Sequence, residues 1–174
     1  MTMQKFWKCE CGESHRSSEE ACKDCEQTKD QGEEITDDTE ERVAVLADFL
    51  DCRFTDLAAA YRRDNSFELG DKEYLVLTDE EADEAAKEYI LDSVWAFNAE
   101  FLYHEMGLPR EAIEMLKMFQ EAKSEGANET FRAMLKDKDV FVRHAISADG
   151  REHLLSSYDG NEDEHEGYYI YRTS

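Results

Sequence analysis

Along the chain, apolar residues recur at helical steps more often than at alternating ones. The longest such run is Thr78 to Gly107, TDEEADEAAKEYILDSVWAFNAEFLYHEMG. Ala82, Ala86, Tyr89, Ile90, Ser93, Phe97 and Phe101 fall three or four residues apart, the period of one helix face. Val94, Trp95, Leu102 and Tyr103 add apolar surface on other faces, as in a helix buried on most sides. Thr78 and Glu81 have capping-box spacing, and Asp79, Glu80, Glu81, Asp83 and Glu84 crowd the end where the helix dipole favours anions. Gly107 and Pro109 supply a stop. The pattern predicts one central helix of about 28 residues, roughly 40 Å long.

Shorter patterns surround it. Val43, Leu46, Ala47 and Leu50 predict a helix over 39–51, and Leu57, Ala58 and Tyr61 a second over 54–63. The segment 65–72 carries turn chemistry around Gly70. Tyr74 to Leu77 reads as a strand. Beyond Pro109, a helix with Ala112, Ile113, Leu116 and Phe119 is predicted to end near Gly126. A further helix should be capped by Asn128 and another by Asp139, closing at Asp149-Gly150. His153 to Tyr158 and Tyr168 to Arg172 read as arms of a hairpin around the acidic loop 159–167, able to pair with Tyr74 to Leu77. The expected fold class is α+β and mostly helical: the long central helix, several short helices, a small antiparallel sheet and an N-terminal zinc-binding appendage. The expected domains are a zinc-binding unit at 1–27, an acidic linker at 28–38 and an acidic α+β domain at 39–174.

Composition adds a boundary. The 174 residues are 41% hydrophobic and 11% aromatic, with a net charge of −23. That suits one folded core beneath an acidic skin rather than disorder. Such a skin repels nucleic acids and anionic membranes and attracts basic proteins, though its plainest meaning is solubility. The N-terminal MTMQKFWKC has no apolar run of signal-peptide length, and no stretch reaches the ~20 apolar residues of a membrane span. The expected location is the cytoplasm, where cysteines are not normally paired as disulfides.

Cys9-x-Cys11 and Cys22-x-x-Cys25 form the strongest chemical pattern. Four thiolates close a tetrahedral zinc site with no position open for substrate, so the expected Zn2+ is structural. His15 is an alternative ligand, a redox Cys22/Cys25 pair is an alternative use, and Cys52 reads as a core thiol. The segment has too little apolar material to fold without such a staple. Its Lys5, Lys8, Arg16 and Lys23 also allow a nucleic-acid-binding finger, which the field of the remaining chain opposes.

Enzyme signatures are missing: no HExxH, GxSxG, GxxxxGK[ST] or GxGxxG occurs. His104 reads as a cation at a helix C-terminus. Asp159, Asn161 and Asp163 imitate the start of a calcium loop, but Glu164 and Ile170 stand where that loop needs Gly and Glu. What remains is the acidic clusters at 33–41, 79–88 and 159–166. Carboxylates on a rigid scaffold can imitate duplex phosphates, about one per 1.7 Å of axis; a solvated face is the commoner meaning.

From Tyr74 onward, YLVLTDEEADEAAKEYILDSVWAFNAEFL, the EGAN at 125–128 and DGREHLLSSYDGNEDEHEGYYIYRTS resemble a group of small acidic bacteriophage proteins of unknown function. The cysteine unit lies outside that resemblance and is similar to a zinc-ribbon or zinc-knuckle element. The resemblance transfers no catalytic residues. It implies, by analogy of source, an inhibitor of host defence acting in the bacterial host's cytoplasm. The expected function is therefore non-enzymatic: an anti-CRISPR or anti-restriction protein whose DNA-mimicking surface enters the basic groove of a host nucleic-acid-binding protein or nuclease complex. Glu80, Glu81, Asp83, Glu84, Asp159, Glu162, Asp163 and Glu164 are the expected contacts. The alternative is a zinc-stabilised adaptor that binds host transcription machinery; a metal-dependent hydrolase ranks third, for want of an open ligand set.

Overall fold

Two segregated apolar clusters, rather than the single core expected from size, organise the chain. The computed structural model describes residues 6–8, 14–16, 33–34, 37–62 and 64–174. It is mostly helical with a small antiparallel sheet. It divides into two compact units: residues 1–79 with 157–174, and residues 80–156. Both divisions fall inside the 39–174 stretch that the sequence reads as one domain.

In the first unit, β1 (Phe6–Lys8) pairs antiparallel with β2 (Ser14–Arg16) and with β3 (Glu33–Glu34). Glu33 and Glu34 thus lie in a strand within the segment expected as linker. The helices α1 (Asp37–Phe49) and α2 (Phe54–Ala60) follow, close to the expected positions. Next come β4 (Ser66–Leu69) and β5 (Lys72–Leu77), and the C-terminal β6 (Asp163–His165) and β7 (Tyr168–Arg172) complete a sheet in the order β4-β5-β7-β6. Pairing of β5 with β7 agrees with expectation, Val76 standing opposite Ile170. The hairpin partner of β7 does not: it is β6, while His153 to Leu155 are helical. The tight connection between β6 and β7 explains this. Glu166 and Gly167 both have positive φ (49° and 85°), the backbone of a two-residue hairpin turn.

One face of this sheet packs with the two helices. Val43, Leu46, Leu57, Phe67, Tyr74, Val76, Tyr168 and Ile170 belong to the buried cluster, and Cys52, read from the sequence as a core thiol, is only partly buried against it. Arg42, 2% exposed, ties the layers together. Its guanidinium donates to the Val76 carbonyl at 2.7 Å, forks onto Asp38 at 3.0 and 3.1 Å, and lies over the Tyr168 ring.

In the second unit the long helix predicted from Thr78 to Gly107 is broken. α3 (Asp79–Asp92) ends before Ser93, one 3-10 turn spans Val94–Ala96, and α4 (Ala99–Met106) restarts after Asn98. Two local devices and two distant ones cause the break. Ser93 Oγ donates back to the Tyr89 carbonyl at 2.6 Å, a bond that competes with the helix. Asn98 Oδ1 caps α4 by accepting from the Glu100 N–H at 2.7 Å. From farther along the chain, Gln120 Nε2 donates to the freed carbonyls of Trp95 and Phe97 at 2.6 and 2.8 Å. Finally, the Asn128 amide inserts where a continuous helix would join Trp95 N–H to Leu91 C=O: it accepts from Trp95 at 3.1 Å and donates to Leu91 at 3.0 Å.

The rest of the unit is α5 (Ala112–Lys123), a 3-10 turn over Ser124–Ala127, α6 (Asn128–Met134), α7 (Lys138–Asp149) and α8 (Arg151–Leu155). Asn128 opens α6 but does not cap it, because its side chain is engaged at the break. Asp137, not Asp139, caps α7 by accepting from two backbone N–H groups. Gly107 closes α4 in the left-handed region as expected. Ile90, Val94, Leu102, Leu116, Phe131 and Phe141 are the heart of this core.

Candidate functional site

Of the sequence-predicted residues, the zinc ligands Cys9, Cys11, Cys22 and Cys25 lie outside the described residues. Among the described residues nearest to them in sequence, Lys8 pairs with Ser14. Among the described residues, no group of three or more His, Cys, Asp or Glu is placed to hold a metal.

The acids predicted on the second unit lie on α3. Glu80, Asp83 and Glu84 recur at helical spacing and share one wall of a shallow groove with Lys87, facing Asp139 and Arg143 of α7. Glu81, half-buried, is absent from that wall. Two of the three wall acids have cationic neighbours. Asp83 pairs with Arg151 at 2.9 Å, and Glu84 lies 3.7 Å from Lys87, which also reaches Asp139 at 3.5 Å. Asp83 and Glu84 stay 63% and 75% exposed, so these pairs are weak and leave the carboxylates open to a partner. Glu80 and Glu88 are exposed and have no ion-pair partner among the described residues.

The acids predicted on the first unit divide by role. Asp159 accepts from the Asn161 N–H at 3.1 Å and folds its own loop. Glu162 accepts from the buried Tyr171 hydroxyl, which makes it a support of β7. Asp163 and Glu164 are exposed on β6, the sheet edge, with Glu166 in the turn beyond them. Charge on an edge strand also discourages pairing with another chain. The α3 acids and the β6 acids therefore belong to different units.

Three of the histidines, His104, His144 and His165, face carboxylates. His104 in the last turn of α4 and His144 of α7 both direct Nδ1 at Glu105 Oε1, at 3.3 and 3.0 Å, and the Glu105 side chain is 7% exposed. His165 reaches Asp48 at 2.9 Å. On α5, Lys117 bridges Glu100 and Glu114. Its hydrogen bond to Glu100 is the chief cause holding the ammonium above its usual pKa. The Glu100 carboxyl is held below the usual range, first by a hydrogen bond from its own backbone N–H and then by Lys117.

Sequence reading missed the surroundings of the helix break. There Tyr89, Phe97, Phe101, Asp149 and His153 line an open cleft of about 440 Å³ within the second unit. Ser93 and Asn98, a back-bonding residue and a cap former inside an apolar run, were the local signal. No helix among the described residues is long and apolar enough to cross a membrane. Compared with known proteins, the chain matches no family model, no curated protein and no solved structure. The resemblance read from Tyr74 onward has no counterpart in these comparisons.

Proposed function

We propose that the protein is a non-enzymatic binding protein whose carboxylates enter the nucleic-acid groove of a basic partner, as an anti-restriction or anti-CRISPR inhibitor would. The observation that carries this reading is that each unit exposes acids without counter-ions among the described residues, Glu80 and Glu88 on α3 in the second and Asp163, Glu164 and Glu166 at the β6 edge in the first, in a chain of net charge −23. The helix and the strand already fix the backbone that carries these carboxylates, so binding orders only their side chains. A groove built to neutralise phosphates meets them with the same Lys and Arg and releases the same counterions.

The test is DNA cleavage by purified restriction and CRISPR effector complexes with the chain added. The E80Q/E88Q/D163N/E164Q variant is compared with the parent. Inhibition should be relieved by excess duplex and should weaken about tenfold or more in the variant, roughly 1.4 kcal/mol. Inhibition that excess duplex does not relieve, or a variant as potent as the parent, removes the reading.

A zinc-stabilised adaptor for transcription machinery is the second reading, favoured by the strand pairing on either side of Cys9 and Cys11. In both readings Cys9, Cys11, Cys22 and Cys25 would hold one structural Zn2+. Deleting residues 1–30 should abolish binding if the adaptor reading holds and only weaken it if the acidic surface is the contact.

A further inference from the structure

We propose that the cleft at the break between α3 and α4 is a receptor for an arginine side chain. The break makes the space. Where a continuous helix would present a convex face, the chain turns at Ser93 to Asn98, and the small side chains Ala96, Ala145 and Ala148 are part of the lining. The remaining walls are aromatic. Phe97 and Phe101 stand 5.8 Å apart and each packs on the buried Phe141, at 5.2 and 5.4 Å. Tyr89, which also lines the cleft, is 52% exposed, a large ring left in water.

Asp149 and His153, both exposed, complete the lining, and the side chain of neither has a hydrogen-bond or ion-pair partner among the described residues. Asp149 is also the last residue of α7, where the helix dipole disfavours an anion, and no basic residue in that turn offsets it. A carboxylate held there beside aromatic faces matches a cation. A neutral apolar ligand would leave Asp149 covered and unpaired, and an anion would meet the field of a chain at −23. Among cations, a guanidinium suits the geometry best: its plane stacks on Tyr and Phe while its N–H fork reaches a carboxylate, whereas an ammonium is a strongly hydrated point charge. This inference rests on the reading of the protein as a binder of basic partners, and names one side chain such a partner would insert.

The experiment titrates the isotope-labelled full chain with N-acetyl-arginine N-methylamide and follows chemical shifts. The citrulline compound serves as neutral isostere and the lysine compound as the ammonium control. Expected are saturating shifts confined to the neighbourhood of Tyr89, Phe97, Ala148 and Asp149, with citrulline and lysine binding more weakly. Asp149→Asn and Ala148→Trp, the latter filling the cleft, should each weaken arginine binding about tenfold. Asp149→Asn should unfold at the same or a higher temperature, because it removes an anion from a helix C-terminus, so lost binding would not reflect lost fold. Shifts spread over the acids of α3 and β6, binding that survives Ala148→Trp, or citrulline or lysine bound as tightly would overturn the proposal. Failure here with duplex-relieved inhibition intact would remove the cleft alone. Saturating arginine binding without such inhibition would remove the mimic reading alone.

Discussion

Asn128 is 9% exposed, and its amide replaces the one backbone bond that would carry α3 across Leu91 to Trp95. Asn128→Ala leaves a buried donor and a buried acceptor unpaired, so it should cost about 2 kcal/mol in urea unfolding. Asn128→Asp should cost more, since a carboxylate oxygen would then face the Leu91 carbonyl. A variant as stable as the parent would show that the break is held by other contacts. Cys52 gives a second residue-scale test. Burial first, then the Asp56 and Asp51 carboxylates, push its thiol above the usual pKa. Folding therefore favours the protonated form; the associated stability is present below the ordinary thiol pKa and is lost as pH rises through the folded one. At pH 8, iodoacetamide should label Cys52 more slowly in the folded chain than in urea, read by peptide mapping. Equal rates would contradict both the burial and the charge argument.

At the scale of elements, the β6–β7 hairpin turns on two residues of positive φ, Glu166 and Gly167. Glycine adopts that region freely, whereas glutamate does not. Glu166→Asn should therefore raise unfolding stability by about 0.5 kcal/mol, because Asn-Gly is the preferred pair for this turn. Destabilisation would mean that Glu166 makes an interaction worth more than the strain. This turn also marks what the sequence could and could not reveal. Helices α1, α2, α5 and α7 and strands β5 and β7 were legible because their own periodicity encodes them. β6, written Asp-Glu-His, has no strand composition; it is a strand because the turn lays it beside β7. The central helix misled for the complementary reason. Ser93 and Asn98 were visible inside the run, but Gln120 and Asn128, which satisfy the severed backbone, lie on other helices. Long-range polar partners leave no local periodicity, and the cleft that depends on them was equally hidden. The α3 acids were legible as a cluster, but the pairing of Asp83 with Arg151 was not, since those residues are distant in sequence.

At the scale of the molecule, charge matters most. Like charges at a net −23 repel, so added salt should stabilise the free protein by screening. The same salt should weaken any complex formed by replacing phosphates, because the counterions released on binding become less favourable to release. The two effects have opposite sign, which makes one salt series decisive. The melting temperature of the chain and its inhibition constant against a DNA-cleaving effector should be measured together from about 50 to 200 mM NaCl. The account predicts a rising melting temperature alongside inhibition that falls linearly on a log–log plot. Inhibition indifferent to salt, while the chain stays folded, would contradict the claim that its carboxylates stand in for a polynucleotide.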